Sequence, residues 1–242
     1  MTTGRIHSWD LSTGVDGPGT RFVLFLSGCP LRCLYCANPD TWHMRDGQPV
    51  TVDDAMARIE RYGQFTDLAG GGVTLTGGEP LLQPAFTAEV LHRCKEFGLH
   101  TALDTSGALG ARADDALLAD TDLVLLDIKS FDADVYQRLT GGHLAPTLNF
   151  ATRLNRLGVP VWIRYVLVPG WTDDPVAVDG LGRFLAGLDN VNRVDVLPFH
   201  KLGAHKYDTL GIPFPLRDNP VPRAALVERV RDQFRAYGLQ AQ

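Results

Sequence analysis

Short runs of Val, Leu, Ile and Phe recur along the chain: FVLFLS from Phe22, GVTLT from Gly72, HTALD from His100, DLVLLDI from Asp122, VWIRYVLV from Val161 and RVDVLPF from Arg193. Apolar runs of this length predict strands buried on both faces, as in a parallel sheet. Between them apolar positions return at helical spacing, over Val52 to Tyr62, Ala85 to Phe97, Thr147 to Leu157 and Val176 to Leu188, and again from Arg223 to Tyr237. Alternating strand and helix predicts an α/β fold. A closed eight-stranded barrel takes about 250 residues. The chain has 242 but only six such runs, so the expectation is an open, partial (β/α)6 TIM-type barrel with parallel strands. No repeat, low-complexity tract or linker interrupts the sequence, and residues 1-242 are expected to form one domain.

The residues at the ends of these runs carry the chemistry. The first run leads into Cys29, the second into Gly77-Gly78-Glu79, the third into Asp104-Thr105-Ser106, and the fourth ends at Asp127-Ile128-Lys129. Arg164 lies within the fifth and His200 follows the sixth. Parallel strands of a barrel open their C-terminal ends onto one face, where active sites are built.

Composition narrows the function classes. A hydrophobic content of 45% suffices for a buried core. A net charge of -5 gives no electrostatic footprint for nucleic acid or an anionic membrane. The opening residues MTTGRIHSWD contain no apolar signal region, and no stretch reaches the roughly 18 apolar residues of a membrane span. A cytoplasmic protein is therefore expected. Three of the 4 cysteines fall within SGCPLRCLYCAN, a clustering that suits a shared metal centre in a reducing compartment.

The spacing Cys29-x3-Cys33-x2-Cys36 follows directly on a predicted strand. Three thiolates can hold three irons of a [4Fe-4S] cluster and leave the fourth open, whereas structural zinc and closed electron-transfer clusters take four ligands. A zinc site completed by His43 or a more distant residue is the competing reading. Cys94 shares a helical face with Val90, Leu91 and Phe97, which reads as a core thiol. Gly77 and Gly78 let backbone approach a ligand closely, or simply form a βα turn. Asp127 and Lys129 alternate about Ile128 and can point to one side, as a site pair or a surface pair. Arg164, charged within an apolar run, must be paired or face the barrel interior. Asp16-Gly17-Pro18-Gly19 reads as a tight turn.

The cysteine spacing, with GRIHSWDLSTGVDGPGTRF, GCPLRCLYCANPDTW, GGGVTLTGGEPLLQ, HTALDTSG, DLVLLDIK, VWIRYVLVPGWTDD and LPFHKLGAHKY, resembles the radical S-adenosylmethionine superfamily and, within it, the activating enzymes of pyruvate formate-lyase. The resemblance covers nearly the whole length. It implies a [4Fe-4S] cluster on Cys29, Cys33 and Cys36 that cleaves S-adenosylmethionine. It implies hydrogen abstraction from a glycine α-carbon in the glycyl-radical loop of pyruvate formate-lyase, with flavodoxin or ferredoxin as electron donor.

The same resemblance implies that Gly77, Gly78 and Glu79 meet the amino end of S-adenosylmethionine, Gly78 most directly, and that Tyr35 and Ala37 border its adenine. Asp127, Ile128, Lys129, Arg164 and His200 would surround the methionine part and the reacting centre. Asp104 and Thr105, with Asp127, would hold a monovalent cation, and Asp16 would receive the substrate loop. The chain departs from many relatives in having Ala37 rather than His after the third cysteine. Asn38 to Val73 contains no cysteine, which argues against activators carrying a ferredoxin-like insertion. Other readings are an activator of a different glycyl-radical enzyme, a radical enzyme acting on a small molecule, and a non-catalytic iron-sulfur or zinc module.

Overall fold

A computed structural model describes residues 2–242. Among these the strands are β1 (Thr3–Thr13), β2 (Thr20–Leu26), β3 (Gln48–Thr51), β4 (Gly72–Gly77), β5 (Thr101–Thr105), β6 (Leu123–Asp127), β7 (Val161–Leu167) and β8 (Val191–Pro198). The helices are α1 (Val52–Leu68), α2 (Pro84–Glu96), α3 (Asp115–Ala119), α4 (Ala133–Thr140), α5 (Leu144–Leu157), α6 (Pro175–Leu185), α7 (Ala204–Leu210) and α8 (Ala224–Arg235). The sheet runs β3-β1-β2-β4-β5-β6-β7-β8 and does not close on itself. The open α/β architecture expected from the sequence is present. Two compact units divide the chain: Met1–Pro30 with Thr41–Thr105 and Leu109–Leu125, and Leu31–Asp40 with Ser106–Ala108 and Leu126–Gln242.

In the first unit β2 pairs in parallel with β4, from Arg21↔Gly72 to Leu26↔Gly77, and β4 pairs in parallel with β5. Val23, Leu24, Leu26, Val73, Leu75 and Leu103 are buried along these strands. Helix α1 starts where the Thr51 hydroxyl accepts the Asp54 N–H at 3.1 Å, an N-cap that satisfies one of the helix's orphan donors. It buries Val52, Ala55, Met56 and Ile59. Helix α2 buries Phe86, Val90, Leu91 and Cys94, whose Sγ lies 3.9 Å from Met56 Sδ. Burial pushes this thiol's pKa up to about 12, so Cys94 is the inert core residue expected. Phe97, placed on the same face by its spacing, instead lies beyond the helix end and is 55% exposed.

Two strands have no counterpart among the six predicted ones. β1 pairs antiparallel with β2 and β3, and only Gly4 and Ile6 of its eleven residues are buried. A half-solvated antiparallel strand needs no continuous apolar run, and β3 has only four residues.

Where β2, β4 and β5 begin, Arg21 is completely buried. Its Nε donates to Thr74 Oγ1 at 2.8 Å, and one terminal nitrogen donates to His100 Nδ1 at 3.0 Å. The other donates to the Val73 and His100 carbonyls. Burial lowers the guanidinium to about 10, which leaves it charged at neutral pH. Such a cation is tolerable inside because its donors are engaged. The arrangement requires a neutral His100, since arginine donates and never accepts. Burial, followed by the charge of Arg21, accordingly holds His100 below its ordinary range.

The second unit contains the parallel pair β7 and β8, in register from Val161↔Val191 to Leu167↔Pro198. β7 alternates buried Val161, Ile163, Tyr165 and Leu167 with half-buried Trp162, Arg164 and Val166. The Tyr165 hydroxyl donates to the Thr172 carbonyl at 2.6 Å while its ring meets Phe234 edge-on at 5.7 Å. Helix α6 is capped by Asp174, which accepts the Ala177 N–H at 2.9 Å, with Pro175 at its first position. Among the described residues no helix is long and apolar enough to cross a membrane.

Cys94→Ala should lower unfolding stability by about 1 kcal/mol in urea melts, through lost core packing alone. His100 is depressed in the fold, so the unfolded chain takes up its proton first. Its contribution is intact above about pH 6.5 and lost as pH falls through the folded value. Melting temperature should therefore drop on acidification below pH 6.5, and less steeply in His100→Gln.

Candidate functional site

In the first unit the segment leaving β2 is stitched to the turn after β4. The Gly78 N–H donates to the Leu26 carbonyl and the Glu79 N–H to the Gly28 carbonyl, both at 2.8 Å. Gly28 donates in turn to the Thr41 carbonyl at 2.6 Å, and Cys29 to the Trp42 carbonyl at 3.1 Å. The turn can come this close only without side chains: Gly77 has φ +113°, and a Cβ there would lie 2.3 Å from Leu26 N. One on Gly78 would lie 2.3 Å from the Gly28 carbonyl oxygen. Packing therefore demands both glycines, independent of any ligand.

Glu79 is buried, its Oε1 accepting the Thr105 hydroxyl at 2.6 Å and the Leu81 N–H at 3.2 Å. It ties the turn to β5. Half-buried Asp104 accepts the Thr76 hydroxyl at 2.7 Å. The Asp16 turn precedes β2 and so lies at the other end of that strand from Cys29. The Asp16 carbonyl accepts the Thr74 hydroxyl at 2.6 Å, and the turn reading accounts for this placement.

The second unit holds the rest of the cysteine segment. The Arg32 N–H donates to the Thr140 carbonyl at 2.7 Å and the Leu34 N–H to the Leu139 carbonyl at 2.9 Å. These are terminal carbonyls of α4, which have no partner inside their own helix. The Cys36 N–H donates to the Cys33 carbonyl at 3.1 Å. Cys33 is buried, and Cys29 and Cys36 are half-buried. Among the described residues no three His, Cys, Asp or Glu side chains form a metal-holding group. The loop therefore supplies donor chemistry on a fixed backbone.

Asp127 and Lys129 do point to one side: Lys129 Nζ lies 2.9 Å from Asp127 Oδ2, with 11% and 22% of the side chains exposed. The same ammonium is 5.8 Å from the Tyr35 ring centroid, within cation–π range. Burial opposes the lysine's charge, but Asp127, Tyr35 and Cys33 outweigh it and hold the pKa well above the ordinary range. Burial also pushes the Tyr35 phenol up, against the pull of Lys129. Among the described residues the buried Tyr35 hydroxyl finds no hydrogen-bond partner. Ile128, between the charged pair, is buried, and its N–H donates to the Arg164 carbonyl at 3.2 Å. Arg164 is half-buried on β7, opposite Asp195 in register. His200 is exposed, and its Nδ1 accepts the Leu202 N–H at 3.4 Å. Ala37 is exposed.

The structure thus groups Cys33, Tyr35, Asp127 and Lys129 in one unit, and Cys29 with Gly77, Gly78 and Glu79 in the other. Sequence reasoning missed Lys206 and Tyr207 of α7, although both lie in the quoted segment LPFHKLGAHKY. Lys206 Nζ donates to Asn38 Oδ1 at 2.8 Å, and the Tyr207 hydroxyl donates to the Cys36 carbonyl at 3.0 Å. No periodicity relates positions so far apart along a chain.

The Radical SAM superfamily profile matches residues 23–178. The chain is 44% identical over 238 residues to the pyruvate formate-lyase 1-activating enzyme of Escherichia coli K12, covering 97% of this chain and 96% of that one. It is 47% identical over 229 residues to the pyruvate formate-lyase-activating enzyme of Staphylococcus aureus USA300, covering 92% and 91% respectively. A solved domain of a pyruvate-formate lyase-activating enzyme from Bacteroides vulgatus superposes with TM-score 0.58 at 27% identity, over 71% of this chain and 98% of that one. Streptococcus suis SuiB bound to precursor peptide SuiA shares the fold at TM-score 0.68 and 19% identity, over 90% of this chain and 47% of that one.

Lys129→Met leaves the Asp127 carboxylate buried without its cation. It should destabilise the protein by about 3 kcal/mol, read from urea melts, and Lys129→Met with Asp127→Asn should recover most of that loss. Equal stability of the single variant and the parent would show that the pair is solvated.

Proposed function

The chain belongs to the radical SAM superfamily, and we propose that it activates pyruvate formate-lyase by generating a glycyl radical on it. Identity of 44% and 47% to activating enzymes of that name, across nearly their whole length, carries this reading. Members of the superfamily use a [4Fe-4S] cluster and S-adenosylmethionine. The donor set fits the cluster: three cysteines on one short loop, and no fourth cysteine near them in sequence. Cys29, Cys33 and Cys36 would hold three irons, with one left for S-adenosylmethionine. When bound, the cluster supplies the electron that splits a carbon-sulfur bond of S-adenosylmethionine, yielding methionine, 5'-deoxyadenosine and a glycyl radical after hydrogen transfer.

The chain's own residues orient and shield. The Lys129 ammonium suits the carboxylate of the methionine part, with Arg164 as a second cation. Tyr35 and Ala37 would border the adenine through backbone or ring contacts. The backbone about Gly78, kept free of side chains, meets the amino group. His200 is assigned to the reacting centre and Asp104, with Asp127, to a monovalent cation. Docking of the lyase's glycine loop would complete the site and exclude water from the radical. An electron donor, flavodoxin or ferredoxin, and a cytoplasmic setting belong to the same reading.

Reduced, reconstituted protein mixed anaerobically with S-adenosylmethionine and pyruvate formate-lyase should give a glycyl-radical doublet in electron paramagnetic resonance. Replacing any one of Cys29, Cys33 or Cys36 by Ala should abolish both the doublet and 5'-deoxyadenosine release. Full cleavage activity in one of these variants would sink the cluster assignment, and 5'-deoxyadenosine formed without a doublet would redirect the reading to another substrate.

A further inference from the structure

The reading above leaves α7 unused, yet this short helix grips the trailing half of the cysteine loop at several points. Just before the helix, Gly203 approaches so closely that a Cβ there would lie 2.6 Å from the Ala37 carbonyl oxygen. Lys206 Nζ donates to Asn38 Oδ1 at 2.8 Å and pairs with Asp40 Oδ2 at 3.0 Å, each partner of the ion pair being 26% exposed. The hydroxyl of fully buried Tyr207 bonds to the Cys36 carbonyl. Its ring lies against Phe214 with centroids 4.8 Å apart. The core therefore sets where that hydroxyl sits, and the hydroxyl sets where Cys36 sits.

We propose that Lys206 is a positioning residue whose charge offsets Asp40 and keeps the cluster reducible, an inference that rests on Cys36 being a cluster ligand. Thiolates already load the site with negative charge, and reduction adds one more. Net charge and hydrogen bonding around a cluster are what set its potential. Asp40, four residues beyond Cys36, opposes the added electron. A lysine serves here because one ammonium has enough donors for both Asn38 and Asp40 while carrying the compensating charge. Packing alone would need no cation, since Tyr207 and the Gly203 approach already pin the backbone.

The test uses the reconstituted full chain, with iron and sulfide content measured alongside the reduced fraction at fixed solution potentials by electron paramagnetic resonance. Lys206→Met should keep its cluster but lower the reduced-to-oxidised ratio about tenfold, a shift of about 59 mV for a one-electron couple. Lys206→Arg should restore most of the ratio. Asp40→Asn should raise it, and Lys206→Met with Asp40→Asn should return near the parent value, a compensation that a purely structural contact would not produce. An unchanged ratio in loaded Lys206→Met overturns the inference. If that variant takes up no cluster, an unchanged ratio in Asp40→Asn overturns it, and a raised one supports it. A parent chain that binds no cluster overturns the functional reading and this inference with it, whereas a loaded parent with unresponsive variants overturns only the inference.

Discussion

A segment that offers thiols to iron cannot also use those side chains as anchors, so its shape falls to the backbone. From Cys36 onward the cysteine segment is held by the side chains of α7, and from Gly28 to Leu34 by main-chain hydrogen bonds. In the first unit these run from Gly28 and Cys29 to the Thr41 and Trp42 carbonyls, and from Glu79 back to Gly28. In the second they run from Arg32 and Leu34 to the end of α4. The Gly77-Gly78 turn belongs to the same constraint, because any side chain there would strike β2 or Gly28. A loop ordered in this way spares the entropy of fixing it when ligands bind.

The protein places buried cations in two chemically different settings. Arg21 donates four hydrogen bonds to neutral acceptors, one of which requires His100 to stay neutral. Lys129 instead faces a carboxylate, an aromatic ring and a thiol. An arginine with its fork fully engaged supports the fold. A lysine is a compact charge whose three donors leave capacity for a ligand carboxylate.

Within the superfamily the chemistry belongs to the cofactors, and the protein contributes position and charge. The candidate residues divide accordingly. Glu79 and Gly77 build the turn, and Asp127 holds Lys129 beside the Tyr35 ring. The α7 contacts add a charged pair, Lys206 with Asp40, to the main-chain bonds that shape the cysteine loop.

The sequence by itself determined where six of the strands lie, because each is a local run of apolar residues. Burial on both faces holds for β2, β4, β5 and β6, whereas β7 and β8 keep half-buried or exposed positions beside polar residues such as Arg164 and Arg193. It also determined the spacing of the three thiols and the inert character of Cys94, which follows from one helical face. Asp127 and Lys129 were legible as neighbours because the period of a strand is local too. What only the tertiary structure decided were the pairings between distant segments: the hairpin strand β1, whose partners rather than its own residues stabilise it, and the grip of Lys206 and Tyr207 on the loop. The two glycines of the β4 turn were visible, but the β2 backbone they accommodate was not. Local sequence encodes which faces must avoid water; which polar group meets which is settled when the chain closes on itself.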